Sequence, residues 1–199
     1  MEEKDIGIYE NVIEYISLEL SKALKKIPNK YKANIEEIRL RSSFPLNIYS
    51  MNKDFFVTKE GFITRDKDKG MVVNRKDIMK TFQLISNYSI YAFEEEIKNG
   101  FITLKGGHRV GITGKVLYGA NGVENIKNIS SLNIRIAREK IGVSNKLLKY
   151  IIDYPDSIYN TLIISPPQCG KTTILRDLIR NLSSGLDILN NKGFKIGVI

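Results

Sequence analysis

Apolar residues recur with helical spacing in the segment 8–27. They are Ile8, Val12, Ile13, Ile16, Leu20, Leu24 and Ile27. The charged residues fall on the other face, so the pattern predicts one amphipathic packing helix that ends at Pro28. A basic helix lying on a membrane surface is the alternative, but several glutamates on the polar face argue against it.

Further along the chain the period changes to the alternation typical of β-strands. The alternating segments are 35–41, 46–49, 55–58, 62–64, 101–104, 108–117 and 132–138. The helical period returns over 75–93, and 94–98 predicts a short helix that stops at Asn99–Gly100. We therefore predict an α+β N-terminal domain over 1–142.

A second unit is predicted to follow a boundary at Gly142. Ser144 is a suitable N-cap for a helix, and Pro155 would break it, so 143–158 is interpreted as a linker with a helix. Segment 159–199 then reads as an apolar strand at 161–164, a loop, an amphipathic helix at 174–182 and a second strand at 193–199.

The amino-acid composition argues against several kinds of binding site and targeting segment. The 199 residues include one cysteine and one histidine, which excludes an intrachain disulfide framework and makes a zinc site unlikely. No stretch approaches the roughly 18 apolar residues of a membrane span, and the acidic N-terminus is not a signal peptide. We expect a cytoplasmic protein, held at a membrane only through partners.

The net charge is strongly positive. Lysine and arginine number 31 against 22 acidic residues, a formal net charge of +9. Such a surplus favours anionic partners, namely nucleotides, nucleic acid or an acidic membrane surface. Because Ile, Asn and Lys recur throughout, a base bias of the genome toward A+T is an equally good explanation for much of this charge.

The segment most informative about chemistry is the loop between the strand at 161–164 and the helix at 174–182. Its residues are Ser165, Pro166, Pro167, Gln168, Cys169, Gly170, Lys171, Thr172 and Thr173. A strand, a tight loop and a helix in this order form the context of a P-loop, where loop amides and a helix N-terminus converge on phosphates. Lys171 would reach the β- and γ-phosphates, and the Thr172 hydroxyl would ligate Mg²⁺.

The loop departs from the general P-loop pattern at its first position. Ser165 stands where the pattern has glycine, and two prolines stiffen the loop instead. Gly170, Lys171 and Thr172 are intact, so nucleotide binding remains the prediction; a strand–turn–helix without function is the alternative. Cys169 is interpreted as small filler. The charges that follow, Arg176, Asp177 and Arg180, are interpreted as solvated, with Asp177 and Arg180 close enough to pair.

Four blocks of sequence resemble the family of stage III sporulation protein AA. They are Ile35–Arg41, Gly100–Gly111, Ser131–Ala137 and Ser165–Asp177. They occur in the family's order and span almost the whole chain. The family is similar to the ATPases of type II and type IV secretion and pilus machines. The resemblance thus implies the start of a RecA-like α/β P-loop NTPase domain over 159–199, with ATP and Mg²⁺ as cofactors.

The resemblance also implies a function and partners. It implies a subunit of an ATP-hydrolysing motor, a homo-oligomeric ring, that powers a membrane-bound sporulation channel between mother cell and forespore. By analogy with related secretion ATPases, Arg135 and Arg138 would act on the γ-phosphate, although solvated strand arginines are the default interpretation. His108 and Arg109 lie in the family's glycine-rich hairpin, where turn and packing roles are favoured. The family's acidic segment and Walker B strand are absent, so the sequence is expected to be cut off and its own hydrolysis is in doubt.

Three other classes of function stay open. A nucleic-acid-binding module is suggested by the charge and by Tyr88 and Tyr91, although these tyrosines follow no stacking pattern. A small-molecule or nucleotide kinase is a further alternative, but no segment of 1–142 resembles an acceptor lid. The last alternative is a non-catalytic assembly domain that acts only through its partners.

Overall fold

The structure is a computed structural model that describes residues 2–119, 122–153, 157–167, 169–185 and 193–197. The chain divides into two compact units between Arg138 and Glu139. The sequence places this boundary at 142, and it treats 143–158 as a linker. In the structure these residues belong to the second unit, because they pack against its own small core.

The first unit is built on an antiparallel sheet of seven strands. The strands are β1 (Ile35–Arg41), β2 (Asn47–Ser50), β3 (Lys53–Val57), β4 (Ile63–Thr64), β5 (Phe101–Thr103), β6 (Arg109–Gly119) and β7 (Gly122–Arg135). Their order across the sheet is β4-β3-β2-β1-β7-β6-β5, and every neighbouring pair is antiparallel. The strand alternation places Ile38, Ile134 and Val110 side by side in the core, while residues between them stay accessible.

Five α-helices among the described residues accompany this sheet. They are α1 (Glu2–Ile13), α2 (Leu18–Lys25), α3 (Asn29–Lys32), α4 (Arg75–Ile85) and α5 (Glu94–Lys98). Their apolar residues and those of the sheet form one continuous core. Asn74 and Asp77 make a reciprocal capping box that fixes the start of α4, as expected for a helix N-terminus.

The prediction of a single helix over 8–27 is wrong. The chain forms α1 and α2 with a turn between them, because Ser17 bonds to a distant helix instead of continuing its own. The Ser17 N–H donates to Thr81 Oγ1 at 3.0 Å, and the Ser17 hydroxyl donates to Asp77 Oδ1 at 2.8 Å. A pattern of apolar residues cannot report a break that depends on contacts made 60 residues away along the chain.

Two other boundaries of the first unit differ from the prediction. The helix predicted over 75–93 ends at Ile85, and Asn87 and Tyr88 then adopt positive φ, which no helix tolerates. The strand predicted over 132–138 begins already at Gly122, where β7 pairs with β6 beyond the rest of the sheet. The predicted strands 35–41, 46–49, 55–58, 62–64, 101–104 and 108–117 and the helix 94–98 are confirmed within a few residues.

The second unit contains α6 (Asn145–Ile151), β8 (Ile152–Asp153), β9 (Ser157–Ile158) and α7 (Lys171–Ser184). The helices predicted around 145–151 and 174–182 are confirmed. Segment 161–164 has no regular structure, and Leu162 and Ile164 are each 81% exposed. Residues 193–197 likewise form no strand, and 198–199 lie outside the described residues. A strand needs a neighbour for its N–H and C=O groups, and the described part of this unit offers none beside either segment.

None of the helices in the described ranges has the length and apolar character that a bilayer crossing requires.

Candidate functional site

The predicted phosphate loop leads directly into α7. Gly170 is the N-cap residue and adopts a left-handed conformation, with φ 80° and ψ 12°. Its carbonyl accepts the first helical hydrogen bond from the Ile174 N–H at 2.9 Å. Glycine adopts this conformation without steric strain, so Gly170 lets the loop turn sharply into the helix. The N–H groups of the next three residues, at the first turn of α7, have no acceptor within the helix.

The Lys171 ammonium group is folded back over the loop. It donates to the carbonyl oxygens of Ser165 and Pro166, each at 2.8 Å, and lies 3.4 Å from the Ser165 hydroxyl. The described residues form no ion pair with Lys171, and the first turn of α7 carries no acidic side chain. The Lys171 cation and the positive end of the α7 dipole therefore lie close together without a negative charge to balance them.

These donors fit a phosphate chain. A cation, free helical N–H groups and a glycine at the turn are what an anion at a helix N-terminus requires. Pro166, Pro167, Cys169 and Thr172 are exposed, so the loop is accessible; Gln168 lies outside the described residues. The hydroxyl oxygen of Thr172 is the kind of hard ligand that Mg²⁺ prefers, and Thr173 is half-buried next to it.

Asp177 is not a solvated helix charge, which corrects the interpretation from sequence. Its side chain is only 2% exposed. One carboxylate oxygen accepts from the Gly142 N–H at 3.0 Å and from Arg180 at 2.8 and 3.2 Å. The other accepts from the N–H and the hydroxyl of Ser144, at 2.8 and 2.7 Å. Burial alone would raise the pKa of Asp177, but these hydrogen bonds outweigh it and hold the pKa well below its usual range.

The two arginines suggested by analogy differ in their surroundings. The Arg138 side chain is 10% exposed and donates to the carbonyls of Ile35 and Lys32, with Nε at 3.4 Å from the Asp5 carboxylate. It is therefore engaged within the first unit and is not solvated. Arg135 is exposed on β7, and none of the described residues makes a hydrogen bond or ion pair with its side chain.

Arg135 has a second arginine as its cross-strand neighbour. Arg109 lies directly opposite it in the β6–β7 register, with its guanidinium 3.8 Å from the centre of the Phe101 ring. Like charges opposite each other in a sheet are unfavourable, but Glu37 lies opposite Arg135 on β1 and supplies a compensating negative charge. The sequence contained both arginines, but only the strand register shows that they face each other.

His108 has the packing role that the sequence favoured. Its side chain is buried, and Nδ1 accepts from the Ala137 N–H at 3.0 Å, which ties the β5–β6 turn to the end of β7. Burial lowers the pKa of His108, and the nearby Arg138 cation lowers it further. Both effects favour the neutral ring that this hydrogen bond requires.

Tyr88 and Tyr91, the tyrosines behind the nucleic-acid hypothesis, are both largely exposed. They lie in the turn after α4 and in a short 3₁₀ segment, outside the sheet. That hypothesis stays a prediction.

Comparison with known proteins identifies the family. The family model described as "Sporulation stage III, protein AA" matches residues 7–199. The chain belongs to this family. It is 40% identical over 174 residues to the stage III sporulation protein AA of Bacillus subtilis (strain 168), a match that covers 87% of this chain and 52% of that protein. The chain therefore spans about half the length of that curated relative. No solved structure matches it.

Proposed function

We propose that this sporulation-family chain binds MgATP at the loop 165–173 and that it is part of an ATP-hydrolysing motor subunit. The observation that carries the proposal is the placement of Lys171. Its ammonium group lies over the loop beside the first turn of α7 and has only neutral carbonyl oxygens as partners. A phosphate would replace those weak contacts with charge-assisted hydrogen bonds, which are about twice as strong as neutral ones.

Bound MgATP would supply the phosphoryl group that is transferred and the metal charge that stabilises its transfer. The chain's own contribution is positioning. Lys171 and the N–H groups of the first turn hold the phosphates, and the Thr172 hydroxyl supports the metal. The two described aspartates of the second unit are already engaged, Asp153 with Ser157 and Asp177 with Ser144 and Arg180. Binding is accordingly the step that we assign to the described loop.

The wider role rests on the family resemblance. We propose that the motor is a homo-oligomeric ring on the cytoplasmic side of a membrane, where it drives a sporulation channel between mother cell and forespore. The RecA-like character of the second domain belongs to the same proposal. Of the arginines assigned to the γ-phosphate by analogy, Arg135 is the better candidate because the groups of Arg138 are already bound.

Titration of a fluorescent ATP analogue, followed by anisotropy with and without Mg²⁺, tests the binding proposal. Lys171→Ala should weaken binding at least about tenfold, since a charge-assisted contact is worth roughly 1.5–3 kcal/mol. Lys146→Ala is the matched control: Lys146 is exposed on α6, and none of the described residues pairs with it. Equal affinity of both variants and the parent chain would contradict the assignment of the loop.

The motor proposal is tested separately, by measuring ATP turnover. ATP turnover should be lost in Lys171→Ala and retained in Lys146→Ala. An unchanged turnover rate in Lys171→Ala would refute the proposed ATPase.

A further inference from the structure

Asp177 holds together two parts of the second unit that are far apart in sequence. It lies on α7, less than two helical turns after Lys171. Its partners Gly142 and Ser144 stand more than 30 positions earlier, just before α6, in the first residues after the first unit ends at Arg138. A single carboxylate thus connects the segment 142–145 to the helix that begins with the phosphate loop.

The network around this carboxylate is saturated. Five donors reach its two oxygens, against roughly four lone-pair sites on a carboxylate. Asn181 closes the network: its amide donates to the Ser144 hydroxyl at 3.0 Å and to Asn145 at 3.1 Å, and its oxygen accepts from Arg180 at 2.7 Å. Segment 142–145 is therefore attached to α7 by several hydrogen bonds.

Ser144 shows that this attachment replaces an ordinary helix cap. Ser144 is the N-cap residue of α6, but its hydroxyl makes no capping bond to that helix. The hydroxyl donates to Asp177 instead. A cap bond is commonly worth about 1 kcal/mol, so a local stabilisation has been exchanged for a bond across the unit.

We propose that Asp177 is a positioning residue that couples nucleotide occupancy of the loop to the order of segment 142–145. This inference rests on the proposed function, because the ligand is the MgATP assigned to the loop. MgATP that fixes the first turns of α7 also fixes the carboxylate on which segment 142–145 is held. Breaking the network releases that segment and loosens the helix that presents Lys171.

Amide hydrogen exchange of the full 199-residue chain, with and without MgATP, tests the coupling. In the parent chain MgATP should slow exchange of segment 142–145. In Asp177→Asn, exchange there should be at least roughly tenfold faster, since hydrogen bonds to a charged group are lost, and MgATP should no longer slow it. Ser144→Ala is the milder variant should Asp177→Asn fail to fold. It removes one hydroxyl and should give the same change in smaller measure.

The matched control is Arg176→Ala, which removes an exposed charge from the position next to Asp177. It should leave both exchange and its response to MgATP as in the parent chain. A merely structural Asp177 would alter exchange without altering the response to nucleotide. The coupling is overturned if the parent chain binds MgATP and segment 142–145 exchanges at the same rate with and without it.

Failure of the underlying function has a different signature. If the parent chain and Lys171→Ala bind the nucleotide equally well, or neither binds it, the loop assignment fails and the coupling with it. If Lys171→Ala alone loses binding while MgATP leaves the exchange of 142–145 unchanged, the loop assignment stands and only the coupling fails.

Discussion

Arg138 and Arg135 are close in sequence and lie at the end of the same strand region, yet their replacement should change the free energy of unfolding by very different amounts. Arg138 donates to the carbonyls of Ile35 and Lys32, both in buried residues, and lies beside the Asp5 carboxylate. Arg138→Ala leaves these two acceptors without a donor. Each buried acceptor left without a donor costs about 1–3 kcal/mol, so we expect a loss of about 3 kcal/mol in the free energy of unfolding.

Arg135 gives the matched comparison. It is exposed, with Arg109 opposite it on β6 and Glu37 opposite it on β1. Arg135→Ala should therefore change stability by no more than about 0.5 kcal/mol, because the repulsion from Arg109 and the attraction to Glu37 oppose each other.

Urea denaturation followed by far-ultraviolet circular dichroism separates the two outcomes. For slopes of about 1–3 kcal/mol per M, the midpoint of Arg138→Ala should fall by about 1–3 M, while that of Arg135→Ala should stay near the parent value. Equal midpoints for the two variants would refute the structural role of Arg138. Loss of ATP turnover in Arg138→Ala at unchanged stability would instead support a role at the γ-phosphate.

Three further predictions each concern a single residue. Because the pKa of His108 is lowered in the fold, its contribution to stability is present above the unfolded pKa near 6.5 and is lost as the pH falls through the folded value. Thermal unfolding between about pH 5 and 8 should show this loss, and His108→Gln should flatten it. Because the pKa of Asp177 is lowered in the fold, its contribution to stability should be lost only below about pH 4. Circular dichroism of His108→Gln should show this loss at low pH, and the same variant with Asp177→Asn added should not show it. Gly170→Ala should strain the loop by about 1–2 kcal/mol and weaken binding of the ATP analogue, whereas Gly100→Ala, with a similar φ of +79° and equally open surroundings, should leave binding unchanged.

The sheet of the first unit could be predicted from the sequence to a large extent. Segments such as 38–41 alternate because one face is buried in the core and the other is not. The order of the strands could not be predicted, since β1 lies between β2 and β7, and β7 follows it by more than 80 residues. Only the register revealed that Arg109 and Arg135 face each other.

The phosphate loop was accessible to sequence reasoning because its chemistry is local. Gly170, Lys171 and Thr172 are consecutive, and their backbone conformation follows from one glycine and one helix start. The burial of Asp177 could not be predicted, because three of its five bonds come from Gly142 and Ser144, which no spacing rule connects to α7. The apolar spacing of α7 does not indicate that Asp177 is buried, because an aspartate near arginines on a helix is ordinarily exposed and pairs at i,i+3.

Lys171 and Asp177 differ in how readily their contacts can change. Lys171 is held by two backbone carbonyls and a weak hydroxyl contact, all neutral and all replaceable by a phosphate. Asp177 is buried, with all its acceptor positions filled and its charge paired with Arg180. A ligand at the loop would therefore rearrange the Lys171 contacts first and leave the Asp177 network in place. On that basis a nucleotide that fixes the first turn of α7 also restrains the part of the helix that carries Asp177, and opening of the bonds to segment 142–145 becomes rarer.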